Sequence, residues 1–440
     1  MLAESIKNTH SKLEGPEILN PGKSIFNIAT TVGEQNVISV GSIGAWASPA
    51  TAYAIDGLLQ YWDSEYDLQN LMLKYEFKID SSGVDLSHNS RLSFTQHGIV
   101  SGKISIGSER IPIVDLVIAE VNKQSDVQSD TLCYLNSYSP KVGVLVISDA
   151  KAGEELQKTL AQKYSFATVK IDLSAMGVPA TRLEQYTVAV RKAAERWSVN
   201  FQMLVGRLLP LTKMGFDRFM EDDYEPRCEA TEPDKERQRS ENWKSDHTFA
   251  FKASNMQWGP TSMPKDQLEY CVQNSLDERQ TEVLYFLEQQ FPTPQFPAKV
   301  DPQLPQPLEQ EEFFNLTKSI TTISTDAKAD GSHSNPWGLV VPMDTSKGNA
   351  TTPMIWARNQ GRLVFATELL RLLGIDMQGD ERALEDHSEK FLLSLTPTLF
   401  SAFGLALVLT ATFVSAPTQH LRAVDEPEET QASSTESQTF

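Results

Sequence analysis

The sequence predicts an α/β protein built on a mostly parallel sheet with helices on both faces. Two observations lead there. Continuous apolar runs at Ile111–Ala119 and Val142–Ser148 read as strands buried on both faces. Segments with helical apolar spacing lie between such runs, and this alternation favours parallel pairing through helical crossovers.

In chain order, residues 1–35 read as a polar leader that packs on the body. Asn36–Val40 is the first expected strand, Gly41–Ser48 the turn after it and Pro49–Leu59 a helix. Asp67–Tyr75 reads as helical, because its leucines fall at helical spacing. Ile111–Ala119 and Val142–Ser148 are the central strands. Gly153–Lys163 is an amphipathic helix, Ala167–Leu173 a further strand, and Thr187–Ala194 runs on from a turn at Gly177–Thr181. These elements make a core over residues 36–195. Composition then shifts, and residues 196–340 are rich in Glu, Asp, Pro and Gln, as expected of an inserted smaller lobe. Within it, PTPQFPAKVDPQLPQPLEQEE is an extended proline-rich connector. Helical periodicity resumes at Gln360–Gly374, so residues 341–422 return to the core, and the acidic stretch 423–440 is expected to be a disordered tail.

One segment has two readings. Phe391–Ala416 runs 26 residues without a charge, long enough to span a bilayer. Pro397 and scattered Ser and Thr favour a buried core helix instead.

The chain has 440 residues, 40% of them hydrophobic, which suits a globular core. Its formal charge of −19 opposes phosphate binding, which draws on Lys and Arg to release counterions. Cys133, Cys228 and Cys271 have no metal-ligand spacing and leave an odd count, which points to a reduced, intracellular protein. The segment MLAESIKNTHSKLEG has no apolar h-region, so no secretory signal is expected. Seven scattered histidines form no HExxH or Cys-His cluster, and no metal site is expected.

The run Val169–Arg191, VKIDLSAMGVPATRLEQYTVAVR, carries the most specific signal. Preceded by the strand Val142–Ile147, it resembles the second half of the catalytic core of cytosine-5 DNA methyltransferases, where a Gly-Val-Pro-Gln-x-Arg-x-Arg turn follows a strand and a helix. Gly177, Val178, Pro179 and Arg182 match, while Ala180 and Glu184 replace the Gln and the second Arg. Arg182 reads either as a base or phosphate contact or as a structural ion-pair partner, and a turn arginine favours the second. NVISVGSIGAW resembles the family's cofactor turn, with Gly41 and Gly44 kept and Ala45 and Trp46 substituted. WDSEYDLQNLMLKYEF resembles the segment in which an acid at the end of the second strand takes the ribose hydroxyls. The matching acid is Glu65, which reads equally as an exposed loop carboxylate. QGRLVFATELLRLLGI is similar to a C-terminal helix of the family, with Arg362, Glu368, Arg371 and Gly374 in place. VVPMDTSKGN resembles the family's Pro-Thr-x-Thr segment, and LFSAFGLALVLTA its final helix, with Gly404 kept and Leu405 in place of Asn.

The resemblance implies a Rossmann-like S-adenosylmethionine-dependent methyltransferase fold, and it also implies that the chemistry is missing. Lys123 stands where the family has its nucleophilic cysteine, a position that needs a soft thiolate. Val146 and Ile147 stand where it has the Glu and Asn of Glu-Asn-Val, whose Glu binds the cytosine edge. Lys103 replaces the acid on the adenine side. No catalytic residue is therefore expected, and Gly41, Gly44, Glu65 and Lys103 are expected to be vestiges of a cofactor site. No cofactor is expected to bind, with S-adenosylmethionine the cofactor if the chain is active.

These readings give a degenerate homologue that acts by binding, as partner of an active methyltransferase. Two alternatives stay open: an active DNA or RNA methyltransferase with an altered site, which Glu65 and the glycine turn favour, and a structural or membrane-associated protein outside the family. In residues 196–340 acids outnumber bases by about eight, which opposes phosphate contact. The isolated chain is therefore expected to bind DNA weakly or not at all. Gel-shift titration at physiological salt checks this, and sub-micromolar affinity would contradict the charge argument.

Overall fold

The computed structural model describes residues 2–13, 37–44, 47–66, 72–79, 99–100, 113–121, 125–192, 200–220, 278–290, 313–315, 339–340, 355–357, 362–376, 389–397 and 399–415, with isolated positions at 248, 252 and 276.

The first half of the chain runs α1 (Leu2–Ser11), β1 (Val37–Ile43), α2 (Ala47–Tyr66), β2 (Met72–Ile79), β3 (Ile99–Val100), β4 (Leu116–Val121), α3 (Ser125–Tyr138), β5 (Val142–Ile147), α4 (Ala150–Leu160), β6 (Tyr164–Asp172), β7 (Ala180–Thr181) and β8 (Leu183–Arg191). It continues with α5 (Phe201–Leu208), α6 (Glu278–Gln290), β9 (Phe313–Asn315), β10 (Leu339–Val340), β11 (Ile355–Ala357), β12 (Arg362–Leu363), α7 (Ala366–Leu372), α8 (Glu389–Leu395) and α9 (Ala402–Ser415).

Seven strands form one sheet in the order β3-β2-β1-β4-β5-β8-β6. The neighbours from β3 to β5 pair in parallel. The last strand in sequence, β8, inserts antiparallel between β5 and β6. The chain winds outward from β1 to β3 and returns to lay β4 on the other side of β1. The switch point of this doubly wound sheet therefore lies between β1 and β4.

Both central strands are buried at every position, which is why they read as unbroken apolar runs. One face of the sheet carries α3 and α4 over Val117, Ala119, Leu145 and Ile147. The other face carries the larger core, in which α9 packs against α1, α2 and α5. Every residue of α9 is buried. Its placement at the centre of the larger core explains its uniform apolar character without a bilayer. The stretch Phe391–Ala416 is thus two core helices, α8 and α9, separated around Pro397. Among the described residues no helix is long and apolar enough to cross a membrane.

A polar box fixes the opposite end of the sheet. The Asp115 carboxylate accepts from the Ser39 backbone N–H at 3.1 Å and its hydroxyl at 2.8 Å, and pairs with Lys141 at 3.2 Å. This pins β1, β4 and the start of β5 in register. It also explains why β4 begins later than the apolar run starts: Asp115 is held by polar partners, and Ile113 before it is 70% exposed.

Several expected elements are corrected. Asp67–Tyr75 was expected to be helical, but Met72–Ile79 is β2, paired in parallel with β1. Its residues alternate, with Leu73, Tyr75, Phe77 and Ile79 interleaved by Lys74, Glu76 and Lys78, and that period of two prevails over the leucine spacing. The helix expected at Pro49–Leu59 extends over Ala47–Tyr66. Within Gln360–Gly374 the helix starts only at Ala366, after the short strand β12. Residues 201–220, which the composition shift places in the inserted lobe, contribute Phe201, Leu204, Leu208, Met214 and Phe219 to the larger core. Most of 196–340, all of 423–440 and all histidines except His10 lie outside the described residues.

The start of the leader is a helix, α1, packed on α2 and α9 with Ile6 and His10 buried. The His10 ring lies 4.7 Å from that of Tyr61 on α2. Burial holds the His10 imidazole down at about 4, from the ordinary 6.5. The folded state therefore refuses a proton that the unfolded chain accepts. The resulting stability is complete above pH 6.5 and is lost as pH falls through about 4. Urea melts between pH 7 and 4 should show a fall on the order of 2–3 kcal/mol from this group. His10→Leu should remove that component, and an unchanged pH profile in the variant would contradict the assignment.

Candidate functional site

In an open parallel sheet, ligands bind at the carboxyl ends of the strands beside the switch point. Here that crevice is framed by the ends of β1, β4 and β5. Register pairs Ile43 with Ala119, and Glu120 with Val146, so Gly44, Glu120 and Val146 lie across neighbouring strand ends.

Gly41 sits within β1, at a register irregularity against β2, and is buried. Gly44 ends the strand with φ at +111°, a conformation open to glycine at little cost. A Cβ there would stand 2.7 Å from Glu120 Cβ and 3.0 Å from Glu120 Oε2. The volume above Gly44 is thus filled by the side chain of Glu120, which is 1% exposed. The backbone carbonyl of Glu120 accepts from the Thr131 hydroxyl on α3 at 3.2 Å. Val146 and Ile147 end β5 at 0% and 4% exposure, Val146 in the larger core and Ile147 on the opposite face against α4.

Arg182 is not at this crevice surface. It immediately precedes β8, whose residues Glu184 and Tyr186 follow it at alternate positions, and all three are buried. The Arg182 Nε lies 3.1 Å from Glu184 Oε1, with both side chains fully enclosed. Arg182 also donates to the Thr396 carbonyl at 2.9 Å and to the Leu399 carbonyl. Glu184 accepts from the Ser401 backbone N–H at 3.1 Å and from the Tyr186 hydroxyl. Ser401 in turn caps α9 by accepting from Gly404 N–H at 3.3 Å. Burial pushes the Glu184 carboxyl up and the Arg182 guanidinium down, and each charge opposes the shift of the other. Tyr186 is raised well above its ordinary value by burial and by Glu184, so it stays a hydrogen-bond donor. The polar residues of the turn motif therefore hold the chain entering α9.

The turn before Arg182 is structural as well. Gly177 has φ at +80°, and a Cβ on it would come within 2.0 Å of the Thr212 carbonyl oxygen. Its own carbonyl accepts from Met214 N–H at 2.7 Å. The C-terminal motif behaves likewise. Arg362 makes a two-pronged contact with the buried Glu368, at 2.9 and 2.7 Å, and Glu368 accepts the Phe365 N–H at 2.8 Å at the start of α7. Gly374, at φ +79°, ends α7 against Ala402 and Phe403 of α9.

Glu65 was expected at the end of the second strand. It lies instead in the last turn of α2, and the second strand begins at Met72. The helical reading of 67–75 displaced the strand, and the acid assignment went with it. In sequence, Asp80 is the acid that follows β2. Leu405 is buried within α9, at 1% exposure. Lys103, Lys123, Ala45 and Trp46 lie outside the described residues. Among the described residues, no cluster of three metal-ligating side chains is present. The residue the sequence reading passed over is Glu120. An acid closing an otherwise apolar strand run was the available signal, but its partner Gly44 is far away in sequence.

The sheet order, the switch point between β1 and β4 and the antiparallel β8 between β5 and β6 define a Rossmann-like, doubly wound α/β fold with a mostly parallel sheet. Several solved structures are similar to this chain, three of which follow. An E. coli prophage-encoded protein, described as a DNA modification methyltransferase, is 10% identical, with a TM-score of 0.46 over 86% of this chain and 99% of its own. The S. pombe Dnmt2 methyltransferase is 12% identical, with a TM-score of 0.39 over 86% of this chain and 98% of its own. The Entamoeba histolytica methyltransferase EhMeth is 8% identical, with a TM-score of 0.39 over 86% and 97%. No protein-family model matches the chain, and neither does any curated protein sequence.

The packing at Gly404 generates a prediction. A Cβ there would lie 2.4 Å from the Tyr186 hydroxyl and 3.1 Å from Glu184 Oε2. Gly404→Ala should cost about 1–3 kcal/mol of stability in urea denaturation, by overpacking. In a Tyr186→Phe background the penalty should shrink, because the obstructing oxygen is gone. An equal penalty in both backgrounds would show that the cluster does not set the approach of α9.

Proposed function

We propose that this chain is a catalytically degenerate homologue of the cytosine-5 methyltransferases, and that it acts by binding, as regulatory partner of an active methyltransferase. The observation that carries the reading is the state of the crevice. Where cytosine chemistry needs a carboxylate, the end of β5 presents the buried aliphatic groups Val146 and Ile147. An apolar side chain can neither hydrogen-bond a base edge nor move a proton. The one arginine of the turn motif is committed inward to Glu184 and to two carbonyls. In sequence, Lys123 follows β4 where a thiolate would attack, and an ammonium is no substitute for that nucleophile.

The same reading holds that S-adenosylmethionine is not bound usefully. The residues in hand do not fit that group. Its place against the glycine turn is taken by Glu120, and Glu65 is carried on a helix rather than at a strand end. The acid excess of residues 196–340 favours a protein partner over nucleic acid.

The test uses the full purified chain with labelled S-adenosylmethionine and cytosine-containing DNA or RNA. No incorporation above a no-protein control is expected. Incorporation that is lost on Lys123→Ala would overturn the reading. For the partner role, the rate of an active cytosine-5 methyltransferase from the same cells is measured with and without the chain. A severalfold change with a co-purifying complex is expected, and neither change nor complex would remove that part of the proposal.

A further inference from the structure

Glycine at a switch-point turn ordinarily serves the ligand, because the absent side chain lets the ligand reach the backbone. Here the absence serves the protein's own chain. The position a Cβ on Gly44 would take is already crowded by Glu120 Cβ at 2.7 Å and Oε2 at 3.0 Å. Glu120 is 1% exposed, so its carboxylate is packed inside the crevice rather than displayed across it. Several features fix it there. It lies in β4, paired to β1 on one side and to β5 on the other, with Val146 as its direct neighbour. Thr131 of α3 anchors its backbone carbonyl at 3.2 Å. Val121 beyond it is fully buried, which keeps the strand end from peeling outward.

We infer that Glu120 is an internal plug: its side chain occupies the ground against Gly44 that the amino-acid end of an S-adenosyl cofactor would need, and so closes the crevice. The inference rests on the reading that the chain takes no such cofactor, and it names the residue responsible. The effect is steric: the side chain fills the volume against Gly44. Removing it past Cβ opens that volume. The described strands around the crevice form an intact doubly wound sheet, so the obstruction at Gly44 comes from one side chain.

The probe is S-adenosylhomocysteine, titrated calorimetrically into the full chain as wild type, Glu120→Ala and Glu120→Gly, with circular dichroism confirming each fold. The wild type should give no saturable binding at millimolar ligand. Glu120→Ala, which keeps Cβ, should bind at least about tenfold more tightly, a shift of about 1.4 kcal/mol. Glu120→Gly should bind at least as well. Folded variants that gain nothing would overturn the plug while leaving the reading of an inert crevice in place. A wild type that binds as tightly as Glu120→Ala would overturn the reading itself. A second measurement needs no variant. Folded wild-type protein is treated with a water-soluble carbodiimide and an amine, and labelling is mapped by mass spectrometry. Glu120 should stay unmodified until denaturant is added. Labelling of Glu120 in the folded chain, at the rate of exposed carboxylates, would show that the side chain leaves the crevice and would sink the proposal.

Discussion

The position of α9 on the larger face of the sheet depends on one buried ion pair, Arg182 with Glu184, at the start of the antiparallel strand β8. The two charges lie 3.1 Å apart with no solvent access. Burying them carries a desolvation cost of several kcal/mol per ion, which attraction alone offsets only in good geometry. The geometry is completed from the C-terminal region. Arg182 spends further donors on the carbonyls of Thr396 and Leu399, and Glu184 accepts from Ser401 at the start of α9. A carboxylate is favourable at that end of a helix, where N–H groups point outward and the dipole is positive. The ion pair is thus satisfied only if α9 docks, and α9 docks in one register only if the ion pair is there. Apolar packing supplies the bulk of the energy, because α9 is buried along its whole length between α1, α2 and α5. The pair supplies the specificity of position.

This changes what the resemblance to cytosine-5 methyltransferases means. The residues that carry it are those that hold the architecture. Gly177 makes room for the Thr212 carbonyl, Glu368 joins Arg362 to the start of α7, and Gly374 lets α7 end against α9. Such positions tolerate little change because the contacts are backbone-close or buried and charged. Val146 satisfies a buried strand as well as any carboxylate would, and better without a partner.

How much of this was legible in the sequence follows from the range of each interaction. Strands β4 and β5 could be read directly, because burial on both faces leaves an unbroken apolar run. The turn at Gly177–Arg182 was legible because its geometry is local. Strand β2 was not: its alternation is masked by leucines just upstream at helical spacing, and the misreading moved Glu65 from a helix to a supposed strand end. The contact of Glu120 with Gly44 was invisible for a different reason. It joins the ends of two strands about 75 residues apart, and only the parallel register of β1 with β4 brings them level. An ion-pair role for Arg182 is the commoner one for a turn arginine, but its carbonyl partners Thr396 and Leu399 lie more than 200 residues on.

The measurement that tests the central claim most directly is a double-mutant cycle on Arg182 and Glu184. Arg182→Met, Glu184→Gln and the double variant are compared with the wild type by urea denaturation. If the two charges hold each other and the entry to α9, the single changes each leave a buried charge uncompensated and the double change relieves it. The coupling energy should then be about 1–3 kcal/mol. Additivity to within about 0.5 kcal/mol would contradict the account, because it would mean that Arg182 is free of Glu184 and available to something outside the fold.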